Sequence, residues 1–202
     1  MKILFCIIWG YLLGCLNPAA LISKLKHKSL RENGSGNLGT TNTLLVFGKK
    51  YAALVLAFDM AKSLFAFKTA TWVAPEVEWL GLASGFAAVV GHCFPFYLKF
   101  KGGKGLASFA GVVLAYRPLL FLFLLFTGMG LMIIVNYSFI LPFYAASFFA
   151  VYAAIKEASL VAALLAVALA ALIIAMHFGN FKKVLRGQEN RVRDVIKAKF
   201  FH

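Results

Sequence analysis

Apolar residues fall in seven runs separated by short polar or glycine-rich connections: Ile3–Ser23, Tyr51–Val73, Trp79–Leu98, Leu106–Tyr116, Leu119–Val135, Phe139–Ile155 and Leu160–Met176. A helix that crosses the hydrocarbon core of a bilayer needs about 20 residues, with about 17 as a lower limit. Six runs reach or approach that length. Leu106–Tyr116 has 11 residues, only about 16 Å of helix, and does not cross unaided.

Composition agrees with lipid as a second apolar solvent. Of the 202 residues, 62% are hydrophobic and 14% charged, and the mean hydropathy is +0.84. A soluble domain carries about a quarter charged residues. The net charge of +14 therefore reads as positive loops beside anionic headgroups. Nucleic acid is excluded as a partner, because no basic segment forms a folded soluble module.

The placement of charge sets the topology. Lys24–Lys50, Lys99–Lys104 and the tail after Gly179, which runs on through Lys197 and Lys199, together hold 16 of the 21 lysines and arginines. The connection Ala74–Glu78 instead holds Glu76 and Glu78. The positive-inside rule wants all three basic segments on the cytoplasmic side. An even number of crossings must then separate Lys104 from the tail, so the short run counts as a span. The expectation is an all-α integral membrane protein of seven transmembrane helices, N-terminus out and C-terminus in, with a short fourth span. Starting that span below the surface draws Gly102–Gly105 toward the membrane, where irregular backbone survives only if protein or a wet cavity surrounds it. Residues 1–202 read as a single membrane domain with cytoplasmic segments at 24–50, 99–105 and 177–202. Leu12–Cys15 resembles a lipoprotein cleavage box, but the apolar run continues past Cys15, so the first run reads as a retained span. Cys6, Cys15 and Cys93 lie in apolar runs and read as small buried hydrophobes.

Three polar constellations carry candidate chemistry. The first, Gly34-Ser35-Gly36-Asn37-Leu38-Gly39-Thr40-Thr41-Asn42, packs three glycines, two amides and three hydroxyls into nine residues. Glycines let backbone N–H groups converge on an anion, and Ser, Thr and Asn add neutral donors. The second is Lys99-Phe100-Lys101-Gly102-Gly103-Lys104-Gly105, just ahead of the short helix. A helix N-terminus suits an oxyanion, with Lys104 beside it like a phosphate-loop lysine. The spacing of a Walker A box is absent. A positive-inside turn explains the lysines but not the three glycines around Lys104. The third is His177-Phe178-Gly179-Asn180-Phe181-Lys182-Lys183 followed by Arg186-Gly187-Gln188-Glu189; His177 and Asn180 are i,i+3 and can face one way. Within the spans, Asp59 and Lys62 form an i,i+3 pair about 12 Å from the cytoplasmic end, and His92 lies about 9 Å deep. Intramembrane ionisable groups face a partner or a cavity.

These segments, in this order, resemble the bacterial acylphosphate:glycerol-3-phosphate acyltransferases of the PlsY family, over essentially the whole chain. The matching residues are Gly34–Asn42, Gly91-His92 through Phe94-Pro95, Lys99–Ala107, and His177, Asn180, Gly187 and Glu189, with Asp59 and Lys62 matching a further position. Leu45 and Lys183 stand where that family has arginine, and Ser108 where threonine is common. Losing a guanidinium at 45 removes one phosphate-binding charge, for which Arg31 or Lys183 could compensate.

The resemblance implies transfer of an acyl chain from acyl phosphate to the 1-hydroxyl of sn-glycerol 3-phosphate, giving lysophosphatidic acid and phosphate. It implies a bacterial inner (cell) membrane location with a cytoplasmic active site, no cofactor, no metal and no required protein partner. An acyl phosphate is already activated, so the enzyme mainly supplies positioning and charge stabilisation. The H-x-x-x-x-D pattern of another acyltransferase design is absent: Tyr97 follows His92, Lys182 follows His177 and Glu32 follows His27 at that spacing. The expected roles follow. Lys104 and the amides of Gly102, Gly103 and Gly105 hold the donor phosphate, with Ser108 and His92 nearby. Ser35, Asn37, Thr41 and Asn42, with Gly34 and Gly36, bind phosphate and glycerol oxygens. Asn180 donates to the developing oxyanion. Lys183 binds glycerol phosphate, and Glu189 lies in the same set. His177 orients the acceptor or takes its proton, a task the substrate's own phosphate could also perform. The competing class is a small multi-pass anion transporter, but no repeat is visible and the polar groups gather at one face.

Overall fold

The computed structural model describes residues 1–189, 191–194 and 197. Among these there is no strand, and every apolar run is helical. Lys199 and the end of the third basic segment lie outside the described residues. Helices α1 (Lys2–Cys15) and α2 (Pro18–Leu25) share the first run, and α3 (Thr40–Phe47) follows the first basic loop. The remaining runs form α4 (Lys49–Val73), α5 (Leu80–Cys93), α6 (Leu106–Tyr116), α7 (Pro118–Val135), α8 (Ile140–Lys156) and α9 (Leu160–Leu185). Among the described residues, four stretches are long and apolar enough to cross a membrane: Lys2–Leu25, Leu80–Leu98, Pro118–Val135 and Leu160–Leu185. Helix α4 has 25 residues but carries Asp59, Lys62 and Lys68, while α6 and α8 are shorter apolar helices.

The chain forms two compact units, Met1–Tyr116 and Arg117–His202. In the first, α1 and α4 pack on α5, and α6 packs on α4 and α5. Small residues bring these helices to backbone contact, as in membrane bundles. A side chain at Gly10 or Gly14 of α1 would run into the α5 backbone at Ser84 or Ala88, and one at Gly111 of α6 into the α4 backbone at Met60. The hydroxyl of Ser84 lies 2.9 Å from the carbonyl of Cys6 and 3.0 Å from that of Ala66, tying three helices together at one buried point.

The first run is not one helix, as its hydropathy suggests, but two. Pro18 disfavours helical backbone at the residue before it, and Asn17 is extended there, its side chain accepting the Ala20 N–H at 2.8 Å. Pro18 itself sits in the first turn of α2, where its missing N–H is harmless. The break leaves the Leu16 carbonyl inside the protein without a helical partner.

In the second unit α8 packs on both α7 and α9. Its α8–α9 seam is alanine-rich, with Ala145, Ala146, Ala153, Ala162, Ala166 and Ala170 all buried. Asn136, at φ 67°, ends α7. The Arg193 guanidinium donates to the last carbonyls of that helix, Ile133 at 3.1 Å and Ile134 at 3.3 Å, while its N–H reaches Asn136 Oδ1 at 2.8 Å. These bonds hold Arg193 against the end of α7.

Candidate active site

The first polar segment is wound around one buried amide. Asn42 is fully buried; its Oδ1 accepts the Ser35 N–H at 2.7 Å, and its Nδ2 donates to the carbonyls of Leu30 at 2.8 Å and Asn33 at 3.1 Å. Gly34 (φ 63°) and Gly36 (φ 73°) take left-handed backbone that only glycine adopts freely, and a Cβ on Gly34 would strike Asn42 Oδ1. Leu30 and Leu38 anchor the loop in a cluster with Ala19, Ile22 and Val55. Ser35 and Thr41 are left exposed, and Asn37 half-buried. Asn42, expected among the phosphate-binding groups, instead has its amide engaged inside the loop.

The second segment lies against the first within the same unit. The Arg31 guanidinium donates to the Lys101 carbonyl, so this side chain ties the two loops together. Gly102 and Gly103 do not present their amides to a ligand as expected. Gly102 N–H donates to the Cys93 carbonyl at 2.8 Å and Gly103 N–H to the His92 carbonyl at 3.1 Å, capping the end of α5. What remains for an anion is the start of α6, where the first-turn N–H groups lack intrahelical partners. Lys104 is half-buried immediately before it, and Gly105 (φ 83°) makes the turn into the helix. Ser108 is fully buried on α6.

Beneath this loop Asp59, Lys62 and His92, the ionisable residues expected within the spans, meet. Lys62 Nζ lies 2.7 Å from Asp59 Oδ1, 2.7 Å from the Leu16 carbonyl released by the α1–α2 break, and 2.9 Å from His92 Nδ1. His92 Nδ1 is also 3.2 Å from Asp59, and none of the three side chains is more than 3% exposed. His92, expected near substrate, is therefore a buried neighbour of the loop. The sequence marks the Asp59–Lys62 pair by its spacing, but it carries no signal for the Leu16 carbonyl.

The third segment is organised by Glu189. Its Oε1 accepts the Asn180 side-chain amide at 2.8 Å and the Ser138 hydroxyl at 3.0 Å. Glu189, expected in the substrate-binding set, here accepts from Asn180 and Ser138. Ser138 carries no site signal in the sequence, because it belongs to a short turn between apolar runs and to none of the three glycine-rich segments. On α9, His177 Nδ1 lies 2.9 Å from the Ile173 carbonyl. A carbonyl only accepts, so Nδ1 holds a proton and, in the neutral ring, the lone pair is on Nε2. Lys183 is exposed six residues further along.

Residues 4–187 match the family model described as glycerol-3-phosphate acyltransferase. A relative of that name from Aquifex aeolicus is 35% identical over 191 residues, 95% of this chain and 100% of its own length. One from Thermoanaerobacter pseudethanolicus is 36% identical over 186 residues, 92% of this chain and 93% of its own. Among solved structures, the chain is similar to PlsY (YgiH), an integral membrane glycerol 3-phosphate acyltransferase. The glycerol 3-phosphate form has a TM-score of 0.88 at 34% identity, covering 95% of this chain and 96% of that one. The lysophosphatidic acid form has a TM-score of 0.86 at 32% identity, covering 95% of each chain.

Proposed function

The chain belongs to the glycerol-3-phosphate acyltransferase family, and from that premise we propose an acyl phosphate as its donor, phosphate as the leaving group and lysophosphatidic acid as its product. It is an enzyme, an acyltransferase of the integral membrane class. The observation that carries the choice of donor is the second segment: a lysine and a left-handed glycine set directly at the N-terminus of α6, an arrangement suited to a phosphate.

In the first unit, Lys104 and the opening turn of α6 hold a substrate phosphate, with Ser35, Asn37 and Thr41 donating to further substrate oxygens. In the second, Asn180 donates to the developing oxyanion and Lys183 meets a phosphate charge. His177, with its lone pair on Nε2, orients the acceptor hydroxyl or accepts its proton. Asn42, Gly102, Gly103 and Glu189 shape these groups rather than touch substrate.

The protein crosses the membrane seven times, with its basic segments cytoplasmic, in the inner membrane of a bacterium. Two contacts within the first unit support this. Lys2 pairs with Glu76 at 3.2 Å, as expected if the N-terminus and the acidic connection share a side. Arg31 meets Lys101, as expected if the first two basic segments share the other. The Glu76 carboxyl is held below the usual carboxylate range by a hydrogen bond to its own backbone and by Lys2.

The deciding experiment is purified protein in detergent with palmitoyl phosphate and glycerol 3-phosphate, assayed for phosphate release and lysophosphatidic acid. Product formed from palmitoyl-coenzyme A but not from palmitoyl phosphate would refute the donor.

A further inference from the structure

Lys62 has no part in the roles just given, yet it does more than neutralise Asp59. A buried ion pair needs two residues; this ammonium has three acceptors drawn from three helical regions: Asp59 on α4, Leu16 in the α1–α2 break and His92 on α5. The ammonium is thus held by one ion pair and two hydrogen-bond contacts. His92 Nδ1 is also 3.2 Å from Asp59 Oδ1, so the ring is held by both members of the pair. The carboxylate and the ammonium offset each other's charge within the apolar span.

His92 in turn carries the glycine segment. Its carbonyl receives the Gly103 N–H, and the carbonyl of Cys93 receives that of Gly102. Gly103 lies so close to His92 Nε2 that a Cβ there would collide with the ring, and it would also come within 2.7 Å of the Leu38 carbonyl. Lys104 is the next residue. A displaced imidazole therefore displaces Gly103 and, through one peptide bond, Lys104.

We propose that Lys62 is a positioning residue for acyl transfer: held by Asp59 and Leu16, it fixes His92, and His92 fixes the Gly102–Lys104 backbone. This rests on the reading of Lys104 as a phosphate-binding lysine. Productive geometry must be kept to about 0.5 Å, and a misplacement of about 1 Å costs about 100-fold.

The test is steady-state kinetics of the full-length protein in detergent, with palmitoyl phosphate and glycerol 3-phosphate each varied. Lys62→Met removes the ammonium but leaves a buried carboxylate. Asp59→Leu with Lys62→Met removes the pair together, a replacement that folded proteins often tolerate. The folded double variant should lose about 30-fold or more in kcat/KM, within the range set by such a misplacement. Most of the loss should appear as a raised KM for the same substrate whose KM rises in Gly103→Ala. Adding Gly103→Ala should then cost little more, because both changes act through one ring–loop contact. A purely structural pair would lower thermal stability, leave KM unmoved and give losses that multiply with Gly103→Ala. That result, or a kcat/KM within threefold of wild type, overturns the proposal. So does failure of both Lys62 variants to fold, which would make the cluster a requirement of folding. Lys104→Ala, assayed in parallel, separates the two readings: if it stays active, the phosphate assignment fails whatever Lys62 does.

Discussion

The side-chain amide of Asn180 is held by the carboxylate of Glu189 at 2.8 Å, and the same oxygen receives the Ser138 hydroxyl at 3.0 Å. Glu189→Ala removes an acceptor shared by both donors, a loss of about 1–3 kcal/mol, and loosens the Asn180 amide. Glu189→Gln keeps an acceptor oxygen. Activity per folded molecule should therefore fall much further in Glu189→Ala than in Glu189→Gln. Equal activity in the two, measured on monodisperse protein, would mean that Glu189 does not orient Asn180.

Lys104→Ala should abolish turnover while the protein stays folded, because phosphate charge is stabilised there. Lys104→Arg should also be poor, since a planar fork replaces a point charge. Retention of more than about a tenth of the wild-type rate by Lys104→Ala corresponds to a loss below about 1.4 kcal/mol and would reduce Lys104 to a topology residue.

Asn42→Asp is isosteric and keeps the acceptor for the Ser35 N–H. It places a carboxylate oxygen against the carbonyls of Leu30 and Asn33, which now receive the amide. The loop should open, raising hydrogen exchange and protease cleavage across residues 30–42 and weakening substrate binding. Unchanged exchange in that stretch would contradict the scaffold role.

Single-cysteine labelling, in a background lacking Cys6, Cys15 and Cys93, should place Ser29 and Lys197 inside and Glu76 outside. Lys197 labelled from outside would break the parity argument for seven crossings.

Transfer should be direct, with no acyl-enzyme. A covalent route needs a nucleophile paired with a base. The three cysteines are buried in apolar helices, out of reach of a polar substrate. The exposed hydroxyls of Ser35 and Thr41 have no histidine neighbour in sequence. Enzyme incubated with acyl-labelled donor alone should keep its intact mass, and double-reciprocal plots should intersect. An adduct on Ser35 or Thr41 that passes to glycerol phosphate, with parallel lines, would establish the two-step route.

Much of this protein can be read one residue at a time. Hydropathy, charge and glycine are properties of single positions, and their order along the chain suffices for helices over all seven apolar runs, for three basic segments, and for a lysine set among glycines ahead of the short helix α6. Hydrogen-bond partners are not such a property. Lys62 takes the Leu16 carbonyl 46 positions away, and that carbonyl exists only because Asn17-Pro18 breaks a run whose hydropathy is continuous. Gly102 and Gly103 look like ligand-facing amides until the end of α5 folds beneath them and claims both N–H groups. Asn42 and Glu189 are polar residues in polar motifs, and only packing turned them inward, one to wind its loop and the other to hold Asn180 against Ser138. In each case burial forced a polar group to find a partner inside the protein, and which partner was in reach depended on how the helices pack.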